Sequence, residues 1–252
     1  MSWSDIGIFI GSLAAAALVL WLLQHFVPHP RREGHNDVAG FIFAGVGVIY
    51  AVLLAFVVIS VWEGVDAARQ TTFKEADALA GVYWISRDLP LPLGAQLERQ
   101  TLAYAHTVES TEWPLMTDHE SSPQATQEVY AIRNSVLTYE PVTVQQQVLY
   151  DHALGHVEDL ATQRRARLTE VEDSVPPIMW GALILGAVLT VGFTFLFGLS
   201  NTLAHALMVL SLTALVVGSL LLIKEMNYPF DGVTRVEPTA FQVFLNRLPP
   251  PR

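Results

Sequence analysis

Between Asn36 and Asp88 the chain reads NDVAGFIFAGVGVIYAVLLAFVVISVWEGVDAARQTTFKEADALAGVYWISRD. Its first half, Val38 to Trp62, is 25 residues without Asp, Glu, Lys, Arg or His. At about 1.5 Å rise per residue, that exceeds the roughly 30 Å hydrocarbon core of a bilayer. This half is predicted to span a membrane. From Glu63 the sequence turns polar, but the nearest prolines are Pro30 and Pro90, so nothing covalent interrupts a helix between them. The expectation is one long helix, half in lipid and half in water. Gly40, Ala44, Gly47, Ala51 and Ala55 fall at three- and four-residue steps. Such a stripe of small residues lets another helix, or an open conduit, come close. Phe41, Ile49, Leu53 and Phe56 lie mostly off it. Helix packing is the plainer reading of the stripe and pore lining the functional one.

Composition agrees with a membrane class. The 252 residues are 52% hydrophobic and only 15% charged, with a positive mean hydropathy. Cysteine is absent, which excludes disulfides, thiolate zinc sites and cysteine nucleophiles. The net charge of −10 is concentrated between residues 63 and 175, which hold 18 acids against 8 Lys plus Arg; the remainder holds six of each. A nucleic-acid partner calls for a basic face and is therefore not expected. Solvation or attraction of cations is the natural use of so acidic a region.

Around the central helix the spacing predicts three further spans. Ile6 to Val27 is long enough and uncharged; MSWSD before it lacks the positive n-region of a signal peptide, so a retained helix is expected. Pro28 and Pro30 break the chain, and Asn36 or Asp37 is expected to cap the central helix. After Pro90 and Pro92 the pattern gives a helix from Leu93 to Glu112, a loop from Trp113 to Ser122, a helix from Gln124 to Tyr139 burying Val129, Ile132 and Val136, and another from Thr143 to Asp173. On that last helix Val144, Val148, Leu149, Val157, Leu160, Leu168 and Val171 are the expected apolar face. In the polar half of the central helix Phe73, Ala76, Ala80 and Tyr83 form the stripe, with Arg69, Lys74, Glu75 and Asp77 pointing away. Ile178 to Leu199 and Thr202 to Ile223 form an antiparallel membrane hairpin across a short link. The tail after Lys224 reads as extended or short-turn structure.

The predicted fold class is therefore all-α. Residues 1–62 carry spans 1 and 2, 63–175 form an acidic helical soluble domain inserted between spans 2 and 3, 176–224 the hairpin, and 225–252 the tail. Placing the large domain in the cytoplasm puts Arg69, Lys74, Arg164, Arg165, Arg167, Lys224 and Arg235 inside and only Arg31 and Arg32 outside. That satisfies the positive-inside rule by count, although Asp5 before the first span and the arginines after it favour the reverse.

Three motifs carry a family resemblance: HNDVAGFIFAGVGVIYAVLLAFVVISVWE, the Pro-Pro start and LTVGFTFLFG run of the third span, and EMNYPFDG after the fourth. In that order they resemble the bestrophin-like bacterial membrane proteins catalogued under a domain of unknown function. Asn36, Asp37, Trp62, Pro229, Phe230 and Gly232 are the residues that match. True bestrophins are homopentameric four-span ion channels with cytosolic ends, in which the second membrane helix lines the pore. The resemblance thus implies a homo-oligomer, such as a pentamer, in the cell membrane, with small ions and the bilayer as partners and a hydrophobic constriction near Val57, Val58, Ile59 and Val61. Bestrophins also carry an acidic run after the Pro-Phe-Gly turn that clasps calcium. Here only Asp231 and Glu237 follow, so that clasp is not expected.

Among chemistry-bearing residues, all four spans lack Asp, Glu, Lys and Arg, which counts against a pump or secondary transporter and does not count against a passive channel. Lining residues by this reading are Gly40, Ala44, Gly47, Ala51, Ala55, Val58 and Ile59, with Glu63 and Asp66 as mouth acids; cations are favoured if those acids face the axis. As interfacial residues that end a span they need no function. His152 and His156 share a helix face beside Asp151, Glu158 and Asp159, a candidate metal pair whose plainer reading is a solvated helix. No catalytic elbow, phosphate loop or paired-carboxylate arrangement is legible, so neither an enzyme nor a cofactor is expected. The competing class is a non-conducting, membrane-anchored interaction or sensor protein whose acidic domain binds a partner.

Overall fold

A computed structural model describes residues 2–27 and 29–248, the side chain of His29 excepted. Among these residues every regular element is helical. The order is α1 (Trp3–Phe26), α2 (His29–Glu33), α3 (Asn36–Ser86), α4 (Leu93–Thr107), a π-helical turn (Val108–Glu112), α5 (Trp113–Met116), α6 (Pro123–Leu137), α7 (Val144–Glu172), α8 (Pro177–Thr194), α9 (Thr202–Glu225) and α10 (Thr239–Asn246). The chain divides into two compact units, Met1–Glu63 with Ser174–Asn227 and Gly64–Asp173 with Tyr228–Arg252.

The first unit contains α1, the apolar part of α3, α8 and α9. Each belongs to a helix long and apolar enough to cross a membrane, and only 11–28% of their apolar windows is buried within the chain. So much exposed hydrocarbon calls for lipid or neighbouring chains around it. α1 and α9 run antiparallel: Ala16 and Leu20 pack on Val209, while Asp5 at one end pairs with Lys224. α3 and α8 are also antiparallel. Tyr50 sits with Ala187 and Val216 in the seam, and a Cβ added at Gly186 would run into the Tyr50 ring. Glycine is required there because the ring lies against the helix backbone.

Three expectations are corrected in this unit. α8 ends at Thr194 rather than Leu199, because the chain from Phe195 onward is held from outside the helix. Asn36 lies inside α3 instead of capping it; its side-chain amide donates to the Gly198 carbonyl and accepts from the Gly198 N–H, both at 2.9 Å. Between the predicted breaks, His29–Glu33 forms a short helix, since proline is tolerated in a first turn where no amide hydrogen is needed.

In the second unit the polar half of α3 packs with α4, α6, α7 and α10 around a core that includes Leu79, Leu97, Tyr104, Met116, Ile132, Leu160 and Phe241. Val129, Ile132 and Val136 are buried on α6 as their spacing predicts. The helix beginning at Leu93 does not stop at Glu112. It passes through the π turn and on to Met116, with the Trp113 N–H donating to the Val108 carbonyl. Pro114 favours a loop in sequence; the wider turn before it leaves room for the ring, which in a regular helix collides with the carbonyl four residues back. The tail likewise contains a helix, α10, burying Ala240, Phe241 and Phe244. Glu75, expected to point away, is fully buried, whereas Phe73 is 42% exposed. On α7, Val144 and Val148 are exposed, and the buried row is Ala153, Val157, Leu160, Arg164, Arg167 and Val171.

Candidate functional site

Along α3 the intrachain seam is narrow. Ala39, Tyr50, Val57 and Val61 are buried and, at about 100° per residue, the other three lie within roughly 20° of Tyr50 on the helix. The small-residue stripe begins to one side of this seam, roughly 60–140° round from Tyr50. Ala44, Ala51 and Ala55 are exposed; a Cβ at Gly47 would meet nothing within 4 Å, and one at Gly40 only the Phe197 ring at 3.8 Å. The stripe is therefore not the surface on which α3 packs inside its own chain. Val58 is half-buried and Ile59 52% exposed. Glu63 and Asp66 are both exposed, and Gln70 donates to Asp66 at 2.7 Å. Chemically this is an uncharged wall followed by two carboxylates.

The sequence-predicted metal pair gains no third ligand: among the described residues no group of three His, Asp or Glu is placed to hold an ion. His152 is exposed. His156 is half-buried, with its ring where a Cβ on Gly81 would approach to 2.5 Å, so its role is close packing of α7 on α3.

Sequence reasoning missed a buried charge cluster in the second unit. The Arg167 Nε donates to Glu75 Oε2 at 2.6 Å, and its Nη2 donates to Glu75 Oε1 at 3.0 Å and to Glu112 Oε2 at 2.8 Å. Arg164 forks onto both Glu112 oxygens, with Nη2 to Oε1 at 2.7 Å. Tyr104 donates its hydroxyl to Glu75, and the Ser122 N–H donates to Glu112 at 3.0 Å. The Arg167 guanidinium also lies 5.3 Å from the Trp113 ring centre. Two cations and two anions balance in a buried interior. Burial pushes the Glu112 carboxyl up, but Arg167 and Arg164 outweigh it and hold it below the ordinary glutamate value. Burial, and then the charge of Glu75, raise the Tyr104 hydroxyl well above the ordinary tyrosine value. Burial likewise raises the Glu170 carboxyl, against a hydrogen bond from Thr71.

The YPFDG segment closes on this core. Phe230 is buried edge-on to Trp113, with ring centres 5.6 Å apart. The Val236 N–H donates to the Pro229 carbonyl at 2.8 Å, and the Trp113 indole donates to the Val236 carbonyl at 3.1 Å. Gly232 has φ 79°, a conformation that suits glycine. Of the other motif residues, Asp37 is exposed and Trp62 is 64% exposed.

Four helices long and apolar enough to cross a membrane, among them a central one whose apolar half is uncharged throughout, mark a polytopic α-helical membrane protein. A model of the Bestrophin-like domain matches residues 10–241, and the chain belongs to that family. Its fold is similar to crystal structures of a bacterial bestrophin homologue from Klebsiella pneumoniae. One single-substitution variant aligns 98% of this chain with 98% of its own at 14% identity and a TM-score of 0.72. A second aligns 94% with 98% at 13% identity and 0.71. Among curated protein sequences there is no match.

Proposed function

We propose that this chain is one subunit of a ring of identical chains, five by analogy with bestrophins, that conducts small ions passively across the cell membrane. The span of α3 forms the wall. Gly40, Ala44, Gly47, Ala51 and Ala55 let the helices approach the axis, Val58 and Ile59 form a hydrophobic constriction that gates by dewetting, and Glu63 and Asp66 form rings that favour cations. The acidic helical region 63–175 is the soluble domain, on the cytoplasmic side. The observation that carries this reading is that the uncharged span of α3 packs within its own chain on the face centred on Tyr50 and leaves most of its small-residue stripe off that face. Family membership supports it.

The test is ion flux through purified protein reconstituted in liposomes. Cation flux is expected to exceed anion flux, and Glu63→Gln to lower the cation preference about two- to tenfold. Absence of flux under every ionic condition overturns the channel reading in favour of a membrane-anchored interaction protein. A monomeric mass in detergent overturns the ring.

A further inference from the structure

At the end of the first unit where α1 finishes and α3 begins, a cavity of about 510 Å³ opens between apolar walls and a basic mouth. Leu23 and Val27 of α1, Val38 and Ile42 of α3, and Phe193 and Leu196 from the end of α8 supply the walls; Arg31, Arg32 and His35 supply the mouth. Arg32 is only 8% exposed. Its Nη1 donates to the Phe195 carbonyl at 3.2 Å, while its Nε is buried with no partner. Among the described residues neither Arg31 nor Arg32 makes an ion pair, and the neighbouring Glu33 and Asp37 are exposed.

A guanidinium carries five N–H donors, and a buried cation without a counter-charge is strongly unfavourable. Arg32 therefore lacks an anion. The planar fork of arginine fits phosphate oxygens in a two-point contact. A free phosphate would satisfy the mouth but leave the walls empty. The walls call for hydrocarbon attached to the same anion, and the ends of membrane-crossing helices lie at the depth of lipid headgroups. We propose that this cavity is a binding site for an anionic phospholipid, with its phosphate against Arg31 and Arg32 and one acyl chain between α1, α3 and α8. His35 adds a ring N–H at the rim.

The test is native mass spectrometry of the full chain in detergent, titrated separately with phosphatidylglycerol, phosphatidylcholine and inorganic phosphate. Phosphatidylglycerol is expected to be retained in preference to phosphatidylcholine, and inorganic phosphate to leave it in place. Arg31→Gln, at an exposed position, should weaken phosphatidylglycerol about tenfold and phosphatidylcholine little, the loss of one charge-assisted contact. Arg32→Gln should weaken it further. If that variant loses helix content, Ile42→Trp, which fills the hydrocarbon end of the cavity, should reduce lipid retention while Arg31 is intact. Equal retention of the two lipids, unchanged preference in Arg31→Gln, unchanged retention in Ile42→Trp, or displacement of lipid by inorganic phosphate each overturns the proposal.

Discussion

Arg167 gives the sharpest test of how the second unit is held together. Arg167→Met removes three hydrogen bonds to Glu75 and Glu112 and leaves two buried carboxylates to share Arg164. Breaking a buried ion pair by deleting one partner costs about 3–5 kcal/mol, mostly from the uncompensated charge left behind. At roughly 2–4 °C per kcal/mol for a chain of this size, the melting temperature should fall by about 10 °C. The second variant separates charge from packing. Glu75→Gln with Arg167→Met leaves Glu112 and Arg164 as a balanced pair, so it should recover at least half of the loss even though it removes one more native contact. Thermal unfolding in detergent, followed by far-ultraviolet circular dichroism and tryptophan fluorescence, reads both. A single-variant loss below about 1 kcal/mol, or a double variant less stable than the single one, would refute the argument that uncompensated charge sets the cost.

Gly186→Ala would drive a Cβ into the Tyr50 ring and should destabilise the first unit by about 1–3 kcal/mol, a loss that Tyr50→Leu in the same chain relieves in a detergent melt. Asn36→Ala deletes both hydrogen bonds to Gly198; a cost of about 1–3 kcal/mol and faster proteolysis between residues 195 and 201 are expected. The melting temperature should depend on pH at both extremes. The Glu112 pKa is lower in the folded chain, so its stabilisation is present above the ordinary glutamate value of about 4.3 and is lost as pH falls through the folded value. The Tyr104 pKa is higher, so its contribution is lost as pH rises past about 10 toward the folded value. Glu170, raised by burial, favours folding most below the ordinary glutamate value and softens the acid limb. A melting temperature that rises steadily from neutral pH down to about 3 contradicts this assignment.

The spans were legible because an unbroken uncharged run has few alternatives to a membrane helix, and α3 continues without interruption from Asn36 to Ser86 as the absence of proline implies. Less legible was which face of each polar helix turns inward. Arg164 and Arg167 sit at three- and four-residue steps between Leu160 and Val171, so the apolar row on α7 runs straight through them. Spacing places them facing inward, but their charge keeps them out of an apolar-face count. Glu75 is masked in the same way, and its partners Tyr104 and Arg167 lie 29 and 92 residues away in sequence. Asn36 has the chemistry of a cap, and only the return of Gly198 from the far end of the chain gives its amide a better partner. α10 was hidden by its length: eight residues between Pro238 and Arg247 offer too little periodicity to separate a short helix from a turn.

The wide turn ahead of Pro114 behaves as a phase shifter in the helical rod. It absorbs one surplus residue, and the side chains beyond it are rotated by roughly a quarter of a revolution relative to an uninterrupted spiral. Glu112, Trp113 and Met116 are all buried as a result. Excising Ser110 or Thr111, both on the outer surface, would rewind the rod, aim the indole toward solvent and unfasten the YPFDG loop. The additional residue and the proline are thus a matched set: with the residue excised, the Pro114 ring would meet a regular helical turn that has no room for it.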